Sequence, residues 1–192
     1  MACATAVQDA PAYEIEMPPA PGALDSPWAE LELHAGAVAR NAERVAIALG
    51  FRQAAADRIR LAGQLHDIGK GSIPSAILHK PGRLDSHERT IIERHPIAGA
   101  EMLDSPYFDD IRPWVLLHHE QPDGLGYPYG LHDEDIPLEA KVIAVADVYV
   151  AMTTDRVYRR SMPAGWAKRE LRRVAGTQLD EHVVERFLTV TP

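Results

Sequence analysis

Apolar residues recur at helical spacing along most of this 192-residue chain, and no segment alternates apolar and polar residues as a half-buried strand would. The first helical pattern begins at Ser26, an N-cap residue followed by Pro27 at the first helical position, and it ends near Gly50. Its apolar positions are Leu31, Ala35, Val38, Ala42, Val45 and Leu49. The dominant pattern therefore predicts an all-α fold.

The same spacing, together with capping signals, predicts the remaining helices. They lie before Gly69, after Asp85–Ser86, and over residues 96–103, 113–118, 138–152, 163–174 and 180–188. The interval 121–135 holds several helix-breaking prolines and glycines, which predict an ordered loop. We therefore expect a helical bundle of about seven to eight helices with one Gly/Pro-rich loop.

Length and composition fit one globular domain. Hydrophobic residues make up 46% and charged residues 25% of the chain, close to ordinary globular usage. At about 150 residues per domain, a second full domain is not expected. Residues 1–25 are rich in Ala and Pro and carry four acidic and no basic residues, which predicts a flexible acidic leader. The folded domain is then expected over residues 26–192.

Charge and hydropathy exclude several classes of partner. The chain has 20 basic and 28 acidic residues, a net charge of −8, which argues against a general binder of DNA or RNA. Its longest apolar runs are far shorter than the roughly 20 residues of a membrane span. A secretory signal begins with a positively charged region, and no Lys or Arg precedes Arg40. The single cysteine, Cys3, excludes an internal disulfide. We expect a cytoplasmic protein that binds neither a membrane nor a nucleic-acid polymer.

Two histidine doublets carry the strongest chemical signal. His66-Asp67 and His118-His119 each follow an apolar helical run, so we expect both at the inner ends of helices. Imidazole and carboxylate together suit manganese, iron or zinc, and a carboxylate can bridge two such ions. One such pair is more often an ordinary core or surface feature, but two of them favour a metal site.

Asp147 lies inside the apolar helical stretch 142–148, where an unpaired carboxylate is costly. It needs a cation, and a salt bridge to a buried arginine is the alternative to a metal. Glu30 and His34 are four residues apart, so they share a face of the first helix. Such a pair alone is more typical of a solvated edge.

Two further residues take meaning only from their neighbours. His95 precedes Pro96 at a junction between helices. Lys70 follows Asp67 by three residues, which would place an ammonium near a bound phosphate. Its alternative role is to complement the carboxyl end of a helix.

In order and spacing, these residues resemble the HD-GYP family, the cyclic di-GMP phosphodiesterase branch of the HD metal-dependent phosphohydrolases. The likeness extends over about residues 28–190 and implies an HD-domain-like helical bundle with a catalytic role. The matching segments are HDIGK at 66–70, KPGRL at 80–84, ERHPIAGAEML at 93–103, HHEQPDGLGYP at 118–128, IPLEAKVIAVADVY at 136–149, TDRVYR at 154–159 and GTQLDEHVVERFL at 176–188.

The resemblance implies a set of metal ligands, with Asp67 as both bridge and catalytic residue. The positions that match the ligands of the family are His66, Asp67, His95, His118, His119 and Asp147. Glu30 and His34 match the glutamate and histidine of members that hold a third metal. Two or three divalent ions are therefore implied, with iron or manganese weakly favoured over zinc.

Substrate contacts are implied in the same way. Lys70 matches the catalytic lysine that contacts the scissile phosphate, and Arg156 and Arg159 match basic residues that touch substrate phosphate. The loop that gives the family its name comprises Asp123, Gly124, Gly126, Tyr127 and Pro128, and it shapes the substrate site or contacts a partner. Val150 and Ala37 depart from a usual carboxylate and arginine, which leaves substrate preference open.

Three functions follow from the resemblance. The leading one is hydrolysis of cyclic di-GMP by metal-activated water, giving linear pGpG and in some members GMP. The second is the same chemistry on another cyclic dinucleotide or nucleotide. The third is a non-catalytic adaptor that docks a diguanylate cyclase through the loop.

Overall fold

The computed structural model describes residues 27–154 and 161–191. Nine α-helices and three short 3₁₀ turns form this part of the chain, which contains no β-strand. The expected all-α bundle is confirmed. The helices are α1 (Pro27–Ala48), α2 (Gln53–Leu65), α3 (Ser75–Leu78), α4 (Ser86–Ile92), α5 (His95–Met102), α6 (Arg112–Leu117), α7 (Leu138–Thr153), α8 (Ala164–Val174) and α9 (Glu181–Val190).

Most helix boundaries follow the expected signals. Gly50, just after α1, has a φ of 91°, a left-handed conformation that glycine adopts without strain. The side chain of Asp85 accepts a hydrogen bond from the Glu88 backbone and completes a capping box at the start of α4. Asp180 caps α9 through the Val183 amide. The helix that sequence periodicity did not indicate is α3, which has a single turn.

The long helix α7 lies at the centre of the bundle and packs against α1, α6, α8 and α9. It is apolar on almost every face, and Val142, Ile143, Val145 and Ala146 are completely buried. Buried side chains of α1, α2 and α9 complete the core around it. Because α7 also carries Asp147, the core helix brings a carboxylate to one end of the buried interior.

The segment after α2 is held close to α5 by two glycines. Gly69, in the 3₁₀ turn Ile68–Ser72, lies so close to the backbone of His95 and Gly99 that a Cβ at this position would overlap the His95 carbonyl oxygen. This contact brings Asp67 beside the amino end of α5. The turn after α2 and helix α5 thus meet backbone to backbone.

The interval 121–135 is an ordered loop, as expected. It contains a 3₁₀ turn at Asp133–Asp135, and the Asp123 amide donates to the Thr177 carbonyl, 3.1 Å away. Among the described helices, none combines the length and the apolar character needed to cross a membrane. The expected leader, residues 1–25, lies outside the described residues, so the boundary at residue 26 stays a prediction.

Candidate metal centre

Three histidines lie near the carboxyl ends of three helices. His66 directly follows α2 and His118 directly follows α6, whereas His95 is the first residue of α5 and lies three positions after the last residue of α4. Each Nδ1 donates to the carbonyl oxygen three residues earlier. These bonds are 2.8 Å to Gly63, 2.8 Å to Ile92 and 2.6 Å to Val115. Since Nδ1 carries the proton, Nε2 is left as an acceptor, the usual arrangement of a metal-bound histidine.

The carboxylate of Asp67 lies between these imidazoles and is 3% exposed. His66 Nε2 lies 3.2 Å from Asp67 Oδ2, and His95 Nε2 lies 3.2 Å from Oδ1. Ligand atoms about 2.1 Å from one ion lie about 3 to 3.4 Å apart. The spacing around Asp67 therefore fits atoms that share an ion.

Four buried atoms of this cluster make no hydrogen bond within the described part of the chain. They are His66 Nε2, Asp67 Oδ1, His95 Nε2 and His118 Nε2. Buried polar atoms without partners are rare in native proteins, and here four of them converge. The residues present thus fit a divalent metal.

The possible ligand atoms form two groups, each with all of its atoms within 4.8 Å of one another. One group is Asp67, His95, His118 and His119, and the other is His34, His66 and Asp67. Asp67 belongs to both groups, which is the arrangement required of a carboxylate that bridges two ions.

Asp147 approaches the second group from α7. Its Oδ1 lies 2.9 Å from His34 Nε2 and 3.9 Å from His66 Nε2. Its hydrogen-bond partner is therefore a histidine, not the buried arginine considered from sequence. Burial opposes ionisation, but the His34 hydrogen bond and the nearby His66 hold the pKa of Asp147 below its ordinary value. The carboxylate is charged at neutral pH and can bind a cation.

Lys70 adds a positive charge to the same place. Its Nζ donates to Asp67 Oδ2 across 2.6 Å, and its side chain is 22% exposed. Burial again opposes ionisation, but the neighbouring His66 and Lys70 hold the pKa of Asp67 well below its usual range. The ammonium is thus near the cluster and still open to a ligand from solvent.

Burial sets the charge of the second doublet. It lowers the pKa of His118 well below the usual histidine value and the pKa of His119 to about 4. Burial also acts on His66, but the Asp67 carboxylate outweighs it and raises that pKa. His118 and His119 are therefore neutral near pH 7, which is the form that binds metal.

The remaining imidazole of the larger group, that of His119, is held differently. His119 makes no side-chain hydrogen bond to any residue that the structure describes, and its ring stacks on the Tyr127 ring. The two centroids are 4.7 Å apart and the planes are inclined by 27°. Sequence reasoning placed Tyr127 in the loop but gave it no contact with a ligand.

Glu120 is the buried polar residue that sequence reasoning missed. It follows the doublet directly, is 3% exposed, and accepts hydrogen bonds from two loop amides. The signal available in the sequence was a charged residue directly after two candidate metal ligands. No periodicity showed that it points inward.

The structure thus brings eight of the expected residues to one place and leaves others outside its description. The eight are His34, His66, Asp67, Lys70, His95, His118, His119 and Asp147. Arg156 and Arg159 lie outside the described residues. Glu30 lies in the first turn of α1, and its side chain is not described. Their proposed roles stay predictions.

The two departures from the family pattern lie toward the core. Val150 is 2% exposed within the hydrophobic core, and Ala37 packs against that core from α1. The aliphatic side chain at position 150 therefore serves packing. Its effect on substrate choice stays a prediction.

Comparison with known proteins identifies the family of this chain. The sequence model described as HD domain matches residues 23–183. This chain belongs to the HD domain family. This HD domain is 35% identical over 169 residues to the 3′3′-cGAMP-specific phosphodiesterase 2 of Vibrio cholerae, covering 86% of this chain and 32% of that protein. It is 38% identical over 148 residues to a cyclic di-GMP phosphodiesterase of Thermotoga maritima, covering 76% of this chain and 40% of that protein.

Solved structures support the same fold. The HDG"Y"P protein Bd1817 of Bdellovibrio bacteriovorus gives a TM-score of 0.67 at 20% identity, covering 83% of this chain and 52% of that chain. The HD domain of the L. monocytogenes phosphodiesterase PgpH, in complex with cyclic-di-AMP, gives 0.54 at 19% identity, with 83% and 87% covered. The present chain spans about a third to two fifths of the length of the two curated relatives described above.

Proposed function

We propose that this chain is a metal-dependent phosphodiesterase that hydrolyses cyclic di-GMP to linear pGpG. The observation that carries the proposal is the group of four buried, unpartnered ligand atoms around Asp67, with the Lys70 ammonium 2.6 Å from the same carboxylate. The names of the relatives supply the substrate class, since several are cyclic di-GMP phosphodiesterases.

The metal ligands we propose are those implied by the resemblance. His66, Asp67, His95, His118, His119 and Asp147 would hold two ions, and Glu30 and His34 would serve a third where one binds. The donors are imidazole nitrogens and carboxylate oxygens, a set that accommodates iron or manganese. When bound, such ions lower the pKa of water and neutralise phosphoryl oxygens during in-line displacement.

The side chains around the cluster have separate tasks. Lys70 donates to a non-bridging phosphoryl oxygen and neutralises charge as it develops. The carbonyls of Gly63, Ile92 and Val115 keep three imidazoles in one tautomer. In the overall reaction, the water oxygen bonds to phosphorus, the bond from phosphorus to the 3′-oxygen breaks, and that oxygen takes up a proton. Arg156 and Arg159 would bind the other phosphate.

A second substrate is favoured by one specific observation. The relative that covers 86% of this chain is named 3′3′-cGAMP-specific, a higher share than the cyclic di-GMP phosphodiesterase from T. maritima covers. The two dinucleotides differ in one base, so the same metal chemistry serves both. Base recognition then decides between them.

The test is a parallel assay under anaerobic conditions. Purified protein loaded with iron(II) or manganese(II) is incubated with cyclic di-GMP, 3′3′-cGAMP or cyclic di-AMP, and the products are separated by chromatography. We expect pGpG from cyclic di-GMP, with GMP as the product of any second hydrolysis. A higher rate on 3′3′-cGAMP would replace the substrate and keep the mechanism.

A measurement of dinucleotide binding distinguishes the adaptor function from catalysis. The loop tip is exposed at Leu125 and Tyr129, which are 80% and 60% exposed, and a diguanylate cyclase is the partner that the resemblance suggests. Tight dinucleotide binding without hydrolysis, by folded protein that holds metal, would favour this function over catalysis.

A further inference from the structure

Four of the histidines of the centre, His66, His95, His118 and His119, do not share one means of orientation. His66, His95 and His118 each donate from Nδ1 to a carbonyl at the end of a helix. His119 has no such bond to any residue in the described ranges 27–154 and 161–191. Since a ligand ring that is free to rotate binds metal weakly, something else must hold it.

Three rings surround the His119 imidazole, with centroids 4.0 Å away for His118, 4.7 Å for Tyr127 and 5.0 Å for His95. Tyr127 is the one of these that is not a proposed ligand, and its plane is the most nearly parallel to that of His119. The rings stack with their centroids 4.7 Å apart, and Tyr127 also lies edge-on to His95 at 6.3 Å. The Tyr127 amide donates to the His119 carbonyl across 3.2 Å. Main chain and ring together place Tyr127 over one face of the imidazole.

Glu120 holds the loop in the position that this stacking requires. Its Oε1 accepts from the Tyr129 amide at 2.6 Å, and its Oε2 accepts from the Leu131 amide at 2.9 Å. A buried carboxylate that receives two backbone N–H groups is a strong anchor. The far limb of the loop is thus tied to the residue that directly follows the ligand doublet.

Gly126 allows the loop to pack closely against the backbone of His119 and Glu120. A Cβ there would be 2.5 Å from Glu120 Cα and 2.6 Å from the His119 carbonyl oxygen. The absence of a side chain therefore lets the residue before Tyr127 touch the backbone of the doublet. Three independent contacts thus converge on one loop geometry.

We propose that Glu120 and Tyr127 are positioning residues of the metal centre. Glu120 fixes the loop on the doublet, and the Tyr127 ring orients His119 as the carbonyls orient the other three histidines. This inference rests on the proposed metal site and adds residues that hold no ion themselves. The exposed loop tip, which carries Leu125 and Tyr129, is thereby connected through Tyr127 to the ligand His119.

The first test measures manganese(II) affinity of the full chain by isothermal titration. Glu120→Gln keeps the shape but offers one acceptor oxygen, so one loop amide loses its partner. We expect about 10- to 100-fold weaker binding, the range of residues that support metal ligands. Glu134→Gln is the control, because Glu134 is exposed on the same loop and should leave the affinity unchanged.

The second test separates ring stacking from the hydroxyl group. Tyr127→Phe keeps the ring and should retain most of the affinity, while Tyr127→Leu should match Glu120→Gln. If Glu120 acts through Tyr127, the double variant Glu120→Gln/Tyr127→Leu is no worse than either single variant. Additive losses, or unchanged affinity in Tyr127→Leu, would overturn the inference.

The third test observes the imidazoles without metal. In long-range ¹H–¹⁵N spectra, Glu120→Gln and Tyr127→Leu should move the His119 ring signals and leave those of His66, His95 and His118 in place. Equal movement of all four contradicts a specific positioning role. If the wild type binds neither manganese(II) nor iron(II), the proposed function fails, and these spectra still decide the inference. If Glu120→Gln does not fold, Tyr127→Leu carries the test, because it leaves the Glu120 contacts intact.

Discussion

The metal centre has a helix-held half and a loop-held half. In the helix-held half, His66, His95 and His118 are oriented by backbone carbonyls at the ends of α2, α4 and α6. In the loop-held half, His119 is oriented by the Tyr127 ring. The orientation of the ligands in the first half depends on the packing of the helices, and that in the second half depends on the conformation of the loop. The site therefore combines three ligands that the helices fix with one ligand, His119, whose orientation depends on a surface loop.

The largest effect should come from Asp67, because it belongs to both groups of ligand atoms. Asp67→Asn keeps the shape and removes the charge, so we expect turnover to fall by more than about a hundred-fold, beyond the range of supporting residues. Metal content measured by mass spectrometry should fall as well. Asp104→Asn, at a side chain that is 93% exposed, is the matched control. Full activity in Asp67→Asn would refute the proposed site.

Lys70 tests whether the helix-held half also supplies the substrate contact. Lys70→Met keeps most of the aliphatic stem and removes the ammonium that lies 2.6 Å from Asp67. Loss of one donor to a developing oxyanion costs about 10²–10³ in kcat, which steady-state assays on cyclic di-GMP would measure. Manganese(II) should still bind. If Lys70→Met loses manganese(II) together with activity, Lys70 supports the ligand Asp67 and is not shown to contact substrate.

Gly69 offers a way to break the helix-held half. In Gly69→Ala the new Cβ would overlap the His95 carbonyl and lie 2.5 Å from the Gly99 nitrogen. Backbone atoms cannot rotate away, so the free energy of unfolding should fall by about 1–3 kcal/mol. Urea denaturation measures it. Gly71→Ala, which meets nothing within 4 Å, should unfold like the wild type.

Gly126 is the counterpart in the loop-held half. Gly126→Ala also meets backbone, at Glu120 Cα and the His119 carbonyl, but a loop can move away where two packed elements cannot. We expect a loss in unfolding free energy below about 1 kcal/mol, together with weaker manganese(II) binding. Gly165→Ala, whose nearest atom is 4.0 Å away at the Arg169 guanidinium, is the control. A stability loss as large as that of Gly69→Ala would erase the distinction between the halves.

The smallest expected effect is a difference in local opening. Removal of metal with a chelator should speed hydrogen exchange at the Tyr129 and Leu131 amides, which Glu120 holds. We expect less than about a tenfold change, or 1.4 kcal/mol, and none in the middle of α2. Mass spectrometry of peptides resolves the two segments. Equal acceleration in both would show that the loop does not respond separately.

The fold was predictable from sequence where periodicity and caps agree. The capping box at Asp85 and the apolar run of α7 are local signals, and the structure confirms both. The four-residue helix α3 was not predictable, because one turn is too short to show a period. Helix-end positions for the histidines at 66 and 118 followed from the apolar runs before them.

The site itself was predictable in its residue types and less so in its contacts. His34 lies 2.9 Å from Asp147, a residue 113 positions away, and no local pattern indicates that pair. The inward direction of Glu120 depends on loop geometry that turn residues alone do not define. Family resemblance supplied the ligand set, whereas the orienting contacts required coordinates.

The place of Asp147 has a consequence for how such a chain can change over time. Its helix is mostly apolar and central to the core, and its side chain is only 17% exposed. Replacing a largely buried ion with a well-packed hydrophobic residue is often neutral or stabilising. Folding alone would therefore tolerate or favour a leucine there. The carboxylate marks a position where stability and activity select opposite residues, and where drift toward a more stable chain would remove a ligand.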